Sequence, residues 1–175
     1  MQTRRNRSSM NKTRKTANLS IQHHHFLLRM ELKHVPGPRD KKRAMHLLKQ
    51  IICDLNMKFL AKPRIFYVEH PHYNQGLTAI APIKTSHIAF HFWNNPEHSI
   101  LHNPESRGLL EFDIYTCGAL TIKHIQRVLH HLTHYCPTHI NASLLNRNYA
   151  LKLEKQFIWD ASKNESWATW LNKLK

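Results

Sequence analysis

Acidic residues are scarce in this chain, which has 11 Asp and Glu against 26 Lys and Arg and a net charge of +15. Such a balance ordinarily suggests a nucleic acid or another anionic surface as partner. Six of the basic residues lie within residues 1–20, before the first acidic residue, and the rest of the chain carries +9. The basic segment lacks interleaved aromatic residues and any recognisable nucleic-acid module, so we expect a solvated arm and no nucleic-acid partner. The weaker alternative, a nucleic-acid-associated protein, predicts steeply salt-dependent binding that is lost on deletion of residues 1–20.

Large apolar residues are almost absent from residues 1–20, so this segment cannot offset the entropy cost of ordering, and a flexible basic tail is predicted. It also lacks the apolar core of a secretory signal. Its Arg, Ser and Thr content fits an organelle-transit segment, and a true start at Met10 fits equally well. Residues 21–175 are predicted to form a single domain.

Long apolar runs and paired cysteines are missing as well. No run approaches the roughly eighteen apolar residues that a membrane-spanning helix needs, so no membrane partner is expected. The three cysteines, Cys53, Cys117 and Cys136, form no close pair. An odd, scattered set argues against a disulfide framework and against a four-cysteine zinc site. A reducing cytoplasm is therefore the expected compartment.

Histidine, in contrast, is abundant, with 16 residues. His130 and His134 lie four apart on a predicted helix, with His131 beside them, and residues 23–25 are three histidines in a row. No HExxH or paired CxxC motif accompanies them, the helical pair lacks a third ligand, and three consecutive strand residues cannot share one face. No dedicated metal site is predicted.

Hydrophobic periodicity predicts an alternation of strands and helices in the order βαββββαβ. The predicted strands are 23–33, 64–69, 77–83, 86–93, 109–116 and 138–145, and the predicted helices are 40–56, with Asp40 as N-cap, and 121–135. The aromatic stretch 157–175 suggests a short packing helix. Grouped strands favour an α+β fold, an antiparallel sheet with both main helices on one face. The other face of the sheet would then need a partner.

The most informative block runs from Gln75 to Gly118. It contains Gln-Gly at 75–76, Thr-Ser-His at 85–87, a second histidine at 91, Pro-Glu at 96–97 and Asp-Ile-Tyr-Thr-Cys-Gly at 113–118. These motifs, in this order, resemble the prokaryotic S-adenosylmethionine decarboxylases. That family has a Gln-Gly strand, Glu-Ser-His, a second histidine four residues after the first, Pro-Glu and Asp-x-Tyr/Phe-Thr-Cys-Gly. The resemblance spans about residues 22–146 and is specific between 75 and 118.

The resemblance implies a role for four side chains. Ser86 would become the pyruvoyl group, the cofactor that binds substrate as a Schiff base, after self-cleavage between Thr85 and Ser86. His91 would serve processing, Cys117 would return a proton to the substrate, and Thr78 would replace a serine hydroxyl that assists processing. The chemistry is coherent, because an amino-acid decarboxylation leaves a carbanion that needs an electron sink, and a ketone supplies one. A histidine suits proton abstraction near neutral pH.

The sequence departs from the family pattern at several places. Thr85, preceded by Lys84, replaces the glutamate before the reactive serine. The acyl shift attacks a backbone carbonyl and does not formally require that glutamate, although a branched residue changes the local geometry. The segment 94–108 is longer than the family loop, and the first strand lacks the Gly-Cys-Asp ending. Strand alternation also puts Ser86 and His91 on opposite faces, so Ser86 is expected at a strand entrance or irregularity.

The resemblance implies an α/β sandwich half that homodimerises through its sheet and decarboxylates S-adenosylmethionine for polyamine (spermidine) synthesis. A pyruvoyl-dependent arginine or ornithine decarboxylase is the enzymatic alternative, since the positive body does not attract a sulfonium cation at long range. The alternative from another class is an unprocessed, non-catalytic relative that binds a metabolite or partner. That alternative predicts an intact chain.

Overall fold

A computed structural model of the chain describes residues 21–69 and 75–174. The tail prediction for residues 1–20 lies outside this range. The strands are β1 (His24–Leu32), β2 (Arg64–Val68), β3 (Gly76–Ile83), β4 (Ser86–Trp93), β5 (Gly108–Thr116), β6 (Pro137–Asn146) and β7 (Lys152–Asp160). The helices are α1 (Lys41–Asp54), α2 (Ile122–Leu132) and α3 (Trp167–Asn172), with short 3-10 turns at Pro38–Asp40, His98–Ile100 and Thr133–Tyr135.

The seven strands form one sheet in the order β2-β3-β4-β5-β1-β6-β7, and every neighbouring pair is antiparallel. The predicted α+β class with an antiparallel sheet and two main helices is confirmed. Strands β3 and β4 form a hairpin with a two-residue connection, Lys84-Thr85. Strand β5 lies on the other side of β4, and its end at Thr116 pairs with Ser86.

Alternate side chains of the sheet build the core. The β1 series Phe26, Leu28, Met30 and Leu32 is buried, and the facing stripe of α2 is buried with it: Ile125, Val128, Leu129 and Leu132. The intervening residues of the strands form the opposite, open face of the sheet. That face displays apolar groups between polar ones, including Leu27, Phe66, Ile80 and Ile158, which are between 39% and 52% exposed.

Helix α1 begins after Asp40, at the position that the sequence predicts for the N-cap. The Asp40 side chain does not cap α1, however. It accepts a 2.8 Å hydrogen bond from the Gly37 backbone N–H and so closes the preceding 3-10 turn. The cap residue is therefore used one turn earlier than expected.

Strand β7 is an element that the predicted order βαββββαβ lacks. It extends the sheet beyond β6 from residues 152 to 160, and the predicted short helix follows it at α3. Only Phe157 and Trp159 of β7 are buried. The alternation of buried and exposed side chains is therefore limited to two buried positions, which are too few to identify a strand from the sequence.

The longer segment between β4 and β5, residues 94–107, is here called the insertion segment. It covers the end of the open face at Glu31, a residue of β1 whose exposure is 0%. The Arg107 N–H bonds to the Leu32 carbonyl and fastens the end of the segment to β1. Among the described residues, no helix is long and apolar enough to span a lipid bilayer.

Candidate active site

Ser86 has the most unusual backbone in the described part of the chain. Its φ angle is +141°, whereas the other two non-glycine residues with positive φ, Asn56 and Cys136, lie near +50° in the left-handed helical region. A serine held in this conformation stores strain on the order of 1–3 kcal/mol. Ser86 is also the first residue of β4, so it lies at a strand entrance, as the strand alternation led us to expect.

The carbonyl of the preceding residue, Thr85, faces a single backbone donor. Its oxygen accepts a 3.0 Å hydrogen bond from the Cys117 N–H. A donor at this position stabilises negative charge that develops on the oxygen when the carbonyl carbon is attacked. The Thr85 hydroxyl, in contrast, is buried without a hydrogen-bond partner. The carbonyl and not the Thr85 side chain is thus the polarised group.

The Ser86 hydroxyl lies beside a histidine–carboxylate pair. Its Oγ is 3.2 Å from Nδ1 of His87, and Nε2 of His87 is 3.2 Å from Oδ2 of Asp113. The same Asp113 oxygen is 3.2 Å from Nε2 of His25. A carboxylate next to Nε2 favours the His87 tautomer that carries its proton there, which leaves the Nδ1 lone pair for the serine O–H. The order serine, histidine, aspartate is that of an activated nucleophile.

An aromatic side chain closes this cluster on the open face. The Tyr115 ring lies 5.6 Å from the His25 ring and 5.9 Å from the His87 ring, between centroids, and the Arg147 guanidinium lies over it at 4.4 Å. These contacts restrict the rotation of both imidazoles. His87 is therefore held where it meets Ser86.

Thr78 and His91 form a second cluster, farther along the same hairpin. Thr78 Oγ1 and His91 Nδ1 are hydrogen-bonded at 2.5 Å, and the two residues are direct partners in the β3–β4 register. The Trp93 ring packs edge-on against His91 at 4.9 Å. Burial lowers the pKa of His91 below 6.5, while the negative charge of Glu111 opposes that shift. His91 is consequently neutral at neutral pH and can accept a proton.

The structure does not bring the two clusters together within one chain. Ser86 pairs with Ile83 at the hairpin end, whereas Thr78 pairs with His91 five residues away. At about 3.3 Å per residue this separation is roughly 16 Å. The sequence-predicted residues therefore fall into two sets. Thr85, Ser86 and Cys117 lie together, and Thr78 and His91 lie together elsewhere.

Cys117 follows directly after β5, and its side chain is exposed. The preceding Thr116 is the register partner of Ser86, which brings the cysteine to the same end of the sheet as the Thr85–Ser86 bond. The other two cysteines, Cys53 and Cys136, are also free. A free, exposed thiol at this end of the sheet is available as a proton donor.

A shallow groove of about 490 Å³ runs across the open face from β3 to β6. Its polar lining includes Thr78, His91, Glu111 and Asp113, with Arg29 on its far side. Ser86 and Cys117 do not line the groove in the described chain. It thus connects the Thr78–His91 pair to Asp113.

Sequence reasoning missed the contacts of His87, Asp113 and His25. Both His87 and Asp113 lie inside the quoted motifs, as the last residue of Thr-Ser-His and the first of Asp-Ile-Tyr-Thr-Cys-Gly. Their position in those motifs was the feature of the sequence that could have identified them as site residues. His25 lies 88 residues from Asp113, and only the pairing of β1 with β5 brings the two together.

Comparison with known proteins supports the resemblance of these motifs. No curated protein matches the sequence. The sequence model of the family described as S-adenosylmethionine decarboxylase matches residues 28–148, well over half of the chain. The matched range begins in β1 and ends after β6, so it contains both clusters apart from His25, and most of the sheet that positions them. The chain therefore belongs to the S-adenosylmethionine decarboxylase family.

Proposed function

We propose that this chain is a self-cleaving, prokaryotic-type member of its family that decarboxylates S-adenosylmethionine by means of a pyruvoyl group formed from Ser86. The family consists of pyruvoyl-dependent carboxy-lyases, which agrees with this proposal. The observation that carries it is the arrangement at residues 85–87. Ser86 has a strained backbone, and its hydroxyl is within hydrogen-bond distance of His87 Nδ1. The carbonyl of Thr85 accepts a hydrogen bond from the Cys117 N–H.

The first step is an N-to-O acyl shift. His87 Nδ1 takes the proton of the Ser86 hydroxyl, and the Ser86 Oγ attacks the Thr85 carbonyl carbon. The Cys117 N–H stabilises the resulting oxyanion. Collapse breaks the bond from the Thr85 carbonyl carbon to the Ser86 nitrogen, which takes up a proton, and leaves an ester. Relief of the backbone strain at Ser86 favours the shift.

The second step is β-elimination. A base removes the α-proton of residue 86, and the ester oxygen leaves with residues 1–85 as a new carboxylate. Hydrolysis of the remaining dehydroalanine releases ammonia and leaves a ketone on residue 86. That ketone supplies the electron sink for decarboxylation when substrate is bound. We assign the base to His91, whose burial keeps it neutral and able to accept a proton.

Thr85 is compatible with this sequence of steps. The attacked group is its backbone carbonyl, whose hydrogen bond from the Cys117 N–H joins two backbone groups and does not involve the residue 85 side chain. Its own hydroxyl contributes no hydrogen bond in the described structure. Replacement of the usual glutamate by threonine therefore leaves the nucleophile, the base and the oxyanion donor in place.

We further propose that the active form is a homodimer in which each copy completes the other's site. Within one chain His91 is roughly 16 Å from Ser86, too far to remove its α-proton. The open sheet face, which exposes Leu27, Phe66 and Ile80, has no covering layer among residues 21–69 and 75–174. A second copy packed on this face covers those residues. It also brings its own Thr78–His91 pair to the first copy's Ser86.

Substrate binding is assigned to the groove on the open face. Glu111 and Asp113 give it carboxylates that attract a cationic amino acid at short range, although the chain as a whole is strongly basic. The Cys117 thiol would protonate the product carbon at the Ser86 end. The decarboxylated product would supply aminopropyl groups for polyamine synthesis, in the cytoplasm.

Release of labelled carbon dioxide tests the substrate assignment. The purified chain would be assayed with carboxyl-labelled S-adenosylmethionine, arginine and ornithine, in parallel with Ser86→Ala and Cys117→Ala. The proposal expects release from S-adenosylmethionine alone, none with Ser86→Ala, and a reduced rate with Cys117→Ala. Release from arginine or ornithine would instead establish another decarboxylase. A chain that binds S-adenosylmethionine without releasing carbon dioxide would be a non-catalytic relative.

A further inference from the structure

A buried carboxylate lies at the end of the sheet opposite to Ser86. Glu31 of β1 has an exposure of 0% and is covered by the insertion segment. Its oxygens accept hydrogen bonds from the backbone N–H groups of His102 (2.8 Å) and Asn103 (3.0 Å), from Ser106 Oγ (2.9 Å) and from Arg29 (3.2 Å). Burial opposes ionisation of Glu31, but the hydrogen bonds from Asn103, His102 and Ser106 outweigh it and lower its pKa to about 2.

Two histidines face one oxygen of this carboxylate. His102 Nδ1 is 3.0 Å and His139 Nδ1 is 3.9 Å from Glu31 Oε1. The two imidazole rings are stacked, with centroids 4.4 Å apart and an interplanar angle of 14°. The Nδ1 atoms of both rings therefore lie close to the same carboxylate oxygen.

His139 has a polar atom that the protein leaves unpaired. The residue is only 8% exposed, and its Nδ1 has no hydrogen-bond partner. A buried polar atom without a partner costs free energy, and such atoms are rare unless an ion or a water satisfies them. The Nδ1 of His139 is therefore not occupied by any protein group.

We propose that Glu31, His102 and His139 bind one divalent transition-metal ion of the zinc class. One ligand atom from each residue lies within 4.8 Å of the others, and no other such group occurs in residues 21–69 and 75–174. Two imidazoles and a carboxylate form a three-ligand set that zinc accepts, with a fourth position left for water. Because zinc bonds of about 2.0–2.2 Å set tetrahedral ligand atoms roughly 3.3–3.6 Å apart, the most widely spaced of these atoms must close by up to roughly 1–1.5 Å.

The surroundings permit this closure. The His102 side chain is 63% exposed, so it can rotate toward the ion without disturbing the core. Arg29 is the competing cation, since its guanidinium shares Oε1 of Glu31. Its other terminal nitrogen already donates to the Ile100 carbonyl, which holds the guanidinium when the ion takes its place.

The ion would fasten the insertion segment to the sheet. Glu31 lies in β1, His139 in β6, and His102 in the segment itself. Glu31 is seven residues along β1 from His24, which shares the partner Thr116 with Ser86, so the site is roughly 23 Å from the cleavage end. Within one chain the ion is therefore too far from Ser86 to act on it.

Cobalt and zinc titration of the full chain tests the site. The protein would be stripped of metal with a chelator, titrated with Co²⁺ while visible absorption is recorded, and then titrated with Zn²⁺. One equivalent of Co²⁺ is expected to give the intense bands of a low-coordinate site, and one equivalent of Zn²⁺ is expected to remove them. The same result is expected with Ser86→Ala, so the test does not depend on self-cleavage.

His102→Ala is the principal variant, because an exposed residue can be replaced without unfolding the chain. It is expected to weaken Co²⁺ binding by more than the roughly 10–100-fold that loss of an outer-shell partner costs. His98→Ala, an exposed histidine of the same segment, is the matched control and is expected to bind as the unaltered chain does. Equal binding by His102→Ala, or only weak six-coordinate spectra in the unaltered chain, would overturn the proposal.

Discussion

At the scale of single residues, the proposed self-cleavage depends on which histidine activates Ser86. His87 is the neighbour in sequence and in space, with Nδ1 3.2 Å from the serine oxygen, and Asp113 lies on its other side. His91 is bonded instead to Thr78. The two histidines should therefore fail at different steps when they are replaced.

His87→Ala should stop processing before the ester forms. Loss of a general base typically costs about 10²–10⁴-fold in rate, so the pulse-labelled chain should stay intact over the time in which the unaltered chain is cut. Hydroxylamine, which cleaves esters, should leave the His87→Ala chain intact and should cut the His91→Ala chain between Thr85 and Ser86. His98→Ala serves as the surface control. An ester that accumulates in His87→Ala would assign the base elsewhere.

The pH dependence of processing should report His91. Burial lowers its pKa below 6.5 and Glu111 partly opposes this, so the neutral, proton-accepting form persists to a pH below 6.5. The acid limb of the cleavage rate should therefore lie below 6.5. Glu111→Gln removes the charge that favours protonation, and the limb should move to still lower pH. Rate–pH profiles of the two chains measure this, and a shift to higher pH in Glu111→Gln would contradict it.

The residues of the candidate active site could be named at this scale, because Ser86, His91 and Cys117 occur at fixed spacing within quoted motifs, and their catalytic roles stay predictions. The contacts of those residues could not be predicted. The approach of Cys117 N–H to the Thr85 carbonyl depends on how β5 ends beside the β3–β4 hairpin. The group of Glu31, His102 and His139 joins residues 71 and 37 positions apart, and no local pattern indicates it.

At the scale of elements, the periodic segments were the predictable ones. Helix α2 follows from apolar residues at helical spacing, and it buries all of them except the half-buried Ile122. Strand β7 was not predicted, because it lies at the edge of the sheet and only two of its side chains, Phe157 and Trp159, are buried. The side-chain role of Asp40 was also missed, since its carboxylate bonds to Gly37 in the turn before α1. Short or edge elements lack the repeats on which sequence prediction depends.

The packing of α2 on the sheet should account for a large share of stability. Leu129 is 0% exposed within the core, so Leu129→Ala should lower the free energy of unfolding by about 2–5 kcal/mol through lost burial and a new cavity. Urea unfolding in the uncleavable Ser86→Ala chain measures this. Tyr149→Ala is the control, since Tyr149 is fully exposed and should change stability little. A loss below about 1 kcal/mol for Leu129→Ala would contradict the assigned packing.

At the scale of the whole molecule, one chain contains all the residues proposed to act in processing but separates them into two clusters. Co-expression of Ser86→Ala with His91→Ala tests whether a second copy joins them. In a mixed dimer one site combines the intact Ser86 of one copy with the intact His91 of the other. The His91→Ala chain should then be cut, although neither variant is cut alone. Absence of cleavage in the mixture, with dimers verified by sedimentation, would exclude complementation between copies.

Self-cleavage at Thr85–Ser86, with conversion of Ser86 to a ketone, would be visible in the intact mass of the purified protein. Under reducing conditions, with Ser86→Ala alongside, the account predicts two fragments, residues 1–85 and 86–175. The second should be lighter than its serine-terminated form by the mass of ammonia and should gain two hydrogens with borohydride. A single uncut mass equal to that of the full sequence would contradict the account.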